Sequence, residues 1–148
     1  MNLGKKWSVE AVKSVEEGLS LEKANYSNIS VSCASEVAKK MKASDEQIIM
    51  VSGLAGGMGL SGNACGALAT AVLLKSMEWY KNHPESKNNS KEMYNPYAKN
   101  TLNKFLSLTN SEMLCSKICG KKFKSVNEHS EFIKNGGCEL LINKLAEI

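Results

Sequence analysis

The chain has 148 residues and a mass of 16.1 kDa, which fits one domain, 1–148. Apolar residues make up 43% and charged residues 23%, which excludes a disordered tail, a collagen-like chain and a disulfide-packed toxin. The net charge is +4 and every one of the 19 cationic side chains is lysine; without the arginine fork that reads guanine, nucleic acid is not an expected partner.

Apolar residues at helical spacing first appear over Trp7–Leu21, with Val12, Val15 and Leu19 on one face. Lys5 and Lys6 are not followed by an apolar core, so no secretory signal is expected. A second helix begins between Asn28 and Ser32 and runs to about Met41, with Ala34, Val37, Ala38 and Met41 as its stripe. Ser44 with Gln47 forms a capping box for a third helix, whose Ile48, Val51 and Ala55 share a face before it ends at Gly56-Gly57.

Six of the eleven glycines then fall between Gly53 and Gly66, a place for close backbone approach. A long helix follows over about 63–81, holding Leu68, Val72, Leu73, Met77 and Trp79. Its first half is built of small residues, which places it at the centre of the fold. Its longest apolar run, Ala67–Leu74, is too short to span a bilayer. Residues 82–95 are polar and read as an exposed loop or a hinge between two lobes.

Asn95-Pro96 starts the next helix, which runs to about Leu108 and buries Leu102, Phe105 and Leu106. Thr109 with Glu112 reads as a capping box for a helix reaching Gly120. Ser125 with Glu128 reads as another, for a short helix stopping at Asn135-Gly136-Gly137. The last helix starts at about Cys138 with Leu141, Leu145 and Ile148 on one side. The fold class is therefore all-α: a compact bundle of six to eight helices with a Gly-rich helix-to-helix turn before a central helix.

Gly57-Met58-Gly59-Leu60-Ser61-Gly62 matches the G-x-G-x-x-G pattern of dinucleotide folds. That pattern has its meaning only between a strand and a helix of a βαβ unit, and here it follows a capped helix. Two readings remain for Gly57 and Gly59: a turn that needs positive φ, or a loop bringing backbone N–H groups to an anion or cofactor.

The five cysteines, Cys33, Cys65, Cys115, Cys119 and Cys138, include no C-x-x-C pair, so neither a thioredoxin motif nor a zinc ribbon is present. With no export signal, the expected location is the cytoplasm, where thiols stay reduced. Cys33, Cys65 and Cys138 fall at or near helix starts, and Cys115 in the second turn after the Thr109 cap. The positive end of a helix favours the thiolate, the species that attacks disulfides and binds metal. Cys119, flanked by Ile118 and Gly120, reads as a core residue.

The run Gly56-Gly57-Met58-Gly59, then Gly62, then Cys65-Gly66-Ala67-Leu68, resembles the core motif of the redox-active C_GCAxxG_C_C family. On that resemblance Cys33 stands at the upstream cysteine, Cys115 at the third position and Cys138 at the fourth. The resemblance covers about residues 28–148. The family name spells Gly-Cys-Ala where this chain reads Cys65-Gly66-Ala67, Thr70 stands where the motif closes with glycine, and Cys119 has no counterpart.

Three functions follow from these readings. In the first, Cys33, Cys65, Cys115 and Cys138 hold an iron–sulfur cluster, two-iron being favoured over zinc, for electron transfer. In the second, no metal is needed: Cys65 is the nucleophile of a thiol–disulfide oxidoreductase and Cys138 resolves. The partner is then a redox protein or a small-molecule thiol or electron donor. The third is a non-enzymatic helical interaction module using the exposed loop and Lys121–Lys124, and the same loop could order against a second copy as a homodimer.

Overall fold

The computed structural model describes residues 29–85 and 95–148, so the Trp7–Leu21 helix and most of the polar loop lie outside the described residues. Seven helices and no strands occur among them: α1 (Cys33–Lys40), α2 (Asp45–Ser52), α3 (Gly66–Asn82), α4 (Pro96–Leu108), α5 (Cys115–Ile118), α6 (Val126–Lys134) and α7 (Glu139–Ala146). The all-α reading holds. No described helix is long and apolar enough to cross a membrane.

Local chemistry sets most helix starts. Ser44 accepts from the Gln47 N–H while the Gln47 side chain accepts from the Ser44 N–H, the reciprocal box read from the sequence. Ser32 and Ser35 cap α1 in the same way. Asn95 caps α4 ahead of Pro96, and Ser125 accepts from the Glu128 N–H to cap α6.

The box expected at Thr109 and Glu112 does not form. Thr109 ends α4 instead, its hydroxyl donating to the Phe105 carbonyl at 3.0 Å. Asn110 and Ser111 turn left-handed, and Glu112 accepts from the N–H groups of Met113 and Leu114. The helix that follows is only four residues long, so Cys115 opens it and does not sit in its second turn.

Helix α3 is the hub, packing on α1, α4 and α7. Its small-residue half is the buried half: Gly66, Ala67, Leu68, Thr70 and Ala71 are all inside. Leu73 and Met77, further along the helix, are exposed. One core cluster joins Val37, Leu68, Phe105, Ile142 and Leu145 with Cys33 and Cys65; a second joins Ala34, Ala38, Ile48 and Val51 between α1 and α2. Burying the aromatic and aliphatic side chains contributes about 1.5–3 kcal/mol each.

Between α2 and α3 the chain turns left-handed over five successive residues, Gly56 to Leu60, with φ from 61° to 82°. α2 therefore stops at Ser52, earlier than the Gly56-Gly57 stop expected from sequence, and α3 starts at Gly66, later than residue 63. Left-handed backbone costs about 1–2 kcal/mol at a residue with a Cβ, and Met58 and Leu60 bear that cost beside the three glycines. The segment is held by backbone bonds from Gly59 to Gly53, Leu60 to Ala55 and Gly62 to Gly56.

Candidate functional site: a five-thiol pocket

Four cysteines stand at helix starts. Cys33 is the first residue of α1 and Cys115 of α5; Cys65 and Cys138 are the cap residues of α3 and α7. The left-handed turn and a short antiparallel pairing bring them together. The Cys65 N–H donates to the Met113 carbonyl, the Cys115 N–H to the Asn63 carbonyl, and Ala64 bridges Leu114, so Cys65 and Cys115 lie side by side. No strand-like alternation marks this pairing in the sequence; the only signal for it is the glycine content of residues 53–66.

The glycines serve close approach. A Cβ at Gly57 would stand 2.8 Å from the Cys115 Cβ, and one at Gly66 would overlap the Leu54 carbonyl. Gly137 lies so close to Phe132 that a Cβ there would overlap its ring, and this turn delivers Cys138 with φ 59°. Gly59 has open space around its Cβ position and lines a different cavity, away from the thiols. Gly57 thus lies against Cys115, whereas Gly59 lines a cavity that holds no cysteine.

Cys33, Cys65 and Cys115 are buried; Cys119 and Cys138 are half-buried, and all five are free thiols. The Cys119 sulfur is 3.8 Å from that of Cys115 and 3.4 Å from that of Cys138. A charge on Cys65 or Cys115 would repel one on Cys33, and Cys119 feels Cys33 and Cys138. Direct sulfur contact thus runs from Cys115 through Cys119 to Cys138, while Cys33 and Cys65 sense other thiols electrostatically. Cys119 is not the isolated core residue expected from Ile118 and Gly120: it sits between two of the other thiols.

The expected depression of the thiol pKa values by helix starts is overturned by burial. Desolvation pushes Cys33 up to about 12, against the Gly56 and Ala34 N–H groups that favour its thiolate. Desolvation also raises Cys65, against the N–H groups of Leu68 and Ala67. Those two belong to the first turn of α3, where a cap side chain is expected to accept, although the sulfur makes no formed capping bond. The Cys119 thiol, and then burial, hold Cys115 well above the usual range. At Cys119 the contact with Cys115 lowers the pKa, but the contact with Cys138, burial and the other sulfurs outweigh it and bring it to about 12. Near neutral pH these are protonated thiols, unless something in the pocket takes the place of the protons.

The profile of the family described as "Putative redox-active protein (C_GCAxxG_C_C)" matches residues 27–148. The chain belongs to that family. No curated protein and no solved structure matches it. The C_GCAxxG_C_C assignment supports a redox role for the protein. Thr70, standing at the motif's closing glycine, is wholly buried and donates to the Gly66 carbonyl at 2.8 Å.

One sequence expectation changes at this site. Cys138, the expected resolving partner of Cys65, is in contact with Cys119 instead. In the Lys121–Lys124 run, read as a docking stretch, Lys121 is the residue with side-chain partners in the chain. Lys121 pairs with Glu128 at 2.8 Å and lies over the rings of Phe123 and Phe132, and the Lys124 N–H donates to Glu128. His129 is buried edge-on against Phe123, and burial lowers its pKa. It is a neutral packing residue.

Proposed function

We propose that the thiol pocket is an electron-transfer centre in which Cys33, Cys65, Cys115 and Cys138 hold an iron–sulfur cluster, two-iron in type. The observation that supports this reading is that four separate helix starts each present a cysteine, Cys33, Cys65, Cys115 and Cys138, with Cys119 in contact with both Cys115 and Cys138. Four cysteine thiolates are the ligand set such a cluster takes. Backbone N–H groups of Gly56, Ala34, Ala67 and Leu68 act on the Cys33 and Cys65 sulfurs, the kind of hydrogen bonding that tunes such centres. Among the described residues no three His, Cys, Asp or Glu side chains are grouped to hold one metal ion. A structural zinc asks for four donors around one ion, whereas a two-iron cluster asks for two cysteine sulfurs at each iron.

Bound there, the cluster would supply one-electron transfer. The chain's part is to bind and to exclude water. Cys33, Cys65 and Cys115 each expose 6% or less of their surface. Their thiol protons must leave as metal binds, so uptake is favoured by rising pH. Cys119 and Cys138 line a cleft of about 500 Å³, the side from which a redox protein or small-molecule donor would approach.

Purification without oxygen, a visible spectrum, and iron and sulfide analysis test this reading. It expects a coloured protein with about two irons and two sulfides per chain, lost on Cys65→Ser. A colourless protein without metal, whose thiols oxidise reversibly, would replace it with dithiol chemistry.

A further inference from the structure

We propose that Cys119 and Cys138 are a reversible disulfide site, oxidised by low-molecular-mass disulfides that enter the adjoining cleft. The inference goes beyond the cluster reading and does not require it.

The two sulfurs are 3.4 Å apart, the shorter of the two thiol contacts that Cys119 makes. They come from different elements, the end of α5 and the start of α7. Cys115 and Cys119 share one helical turn and are 3.8 Å apart, a placement that strains a disulfide. Both members of the 119–138 pair are half-buried and both line the 500 Å³ cleft, along with Ile118, Phe132 and Leu141. Cys33, Cys65 and Cys115 do not line it. Access and proximity therefore select one pair among the five thiols.

Cys138 has Cys119 as its sulfur contact, while Cys119 is held between Cys115 and Cys138. Cys138 is accordingly the attacking thiol. It gives up its proton, its sulfur bonds to one sulfur of the incoming disulfide, and the first small thiol leaves with a proton. The Cys119 thiol then gives up its proton, its sulfur bonds to the Cys138 sulfur of the mixed disulfide, and the second small thiol leaves with a proton. Two protein thiols are oxidised and one small disulfide is reduced to two thiols. In a protein carrying the cluster, this withdraws Cys138 from its ligands.

Oxidised glutathione is the probe. The full chain, purified without oxygen, is treated with it, alkylated under denaturing conditions and digested with trypsin. Lys117 separates the Cys115 peptide from the Cys119 peptide, so the pairing is read directly by mass. The expected product joins peptide 118–121 to peptide 135–144 and is lost after dithiothreitol. Cys119→Ser and Cys119→Ala should each leave a glutathione adduct on Cys138 that persists. A linkage of Cys119 to Cys115, a linkage between Cys33 and Cys65, or five alkylated thiols after treatment would each overturn the proposal. These outcomes are read on the peptides whether or not iron is bound, so they are separable from the fate of the cluster reading.

Discussion

Gly57 and Cys115 are matched across the site: the glycine leaves the space in which the Cys115 Cβ stands, and an added Cβ would approach it to 2.8 Å. The same Cβ would press on the Asn63 nitrogen and the Gly62 carbonyl carbon, and Gly57 has φ +82°. Gly57→Ala is therefore expected to combine left-handed strain with overpacking, a loss of about 2–5 kcal/mol. Chemical denaturation measures the loss. Alkylation kinetics should show Cys115 becoming accessible first, because it is the group displaced.

Gly66 and Gly59 separate the two uses of glycine in this segment. At Gly66 a Cβ would overlap the Leu54 carbonyl although the backbone is helical; at Gly59 nothing lies within 4 Å but φ is +61°. Gly59→Ala should cost only the left-handed strain, about 1–2 kcal/mol. Gly66→Ala should cost more, because α3 must move away from residues 54 and 55 and carry Cys65 with it. Thermal melts of the two variants decide it; equal losses would mean that the α3 start shifts without resistance.

Features set by neighbours in sequence were legible, and features set by distant contacts were not. The Ser44–Gln47 box and the Asn95-Pro96 start involve residues three apart or fewer and occur as read. The Thr109–Glu112 pattern has the same spacing and failed, because Thr109 already bonds back to Phe105 at the end of α4. Spacing alone does not distinguish the end of one helix from the start of the next. The left-handed run was half legible: glycines announced it, but Met58 and Leu60 also adopt positive φ, which their side chains disfavour. Cys119 was misread because its contact with Cys138, nineteen residues on, depends on the Gly136-Gly137 turn. The direction of the thiol pKa shifts was misread for a related reason, since helix starts are visible in sequence while the depth of burial is not.

Thr70 is the departure from the family motif whose effect can be measured. Its hydroxyl bonds to the Gly66 carbonyl and its side chain is fully enclosed. Thr70→Val keeps the shape and loses the bond, an expected cost of about 1 kcal/mol. Thr70→Gly restores the motif but opens a void and places glycine inside α3, and should cost about 2–3 kcal/mol. Urea midpoints give the order. A glycine variant as stable as the natural chain would mean that the helices close over the space.

A buried thiol and a buried imidazole set opposite limits on the stability of the reduced, metal-free chain. Cys33 has its pKa raised from about 9 to about 12 by burial. Between those values the unfolded chain has released this proton and the folded chain keeps it, so stability is full below pH 9 and falls as pH rises toward 12. His129 has its pKa lowered from 6.5 by burial. The unfolded chain binds a proton that the folded chain excludes, so its contribution is full above 6.5 and is lost as pH falls below it. Urea midpoints from pH 5 to pH 10 should therefore peak between 6.5 and 9. Cys33→Ala should make the alkaline limb shallower, the other raised thiols keeping part of it, and His129→Gln should flatten the acid limb, each leaving the other limb unchanged. An alkaline limb unaltered by Cys33→Ala would mean that the Cys33 thiol ionises freely in the folded protein, and that its burial does not hold the proton in place.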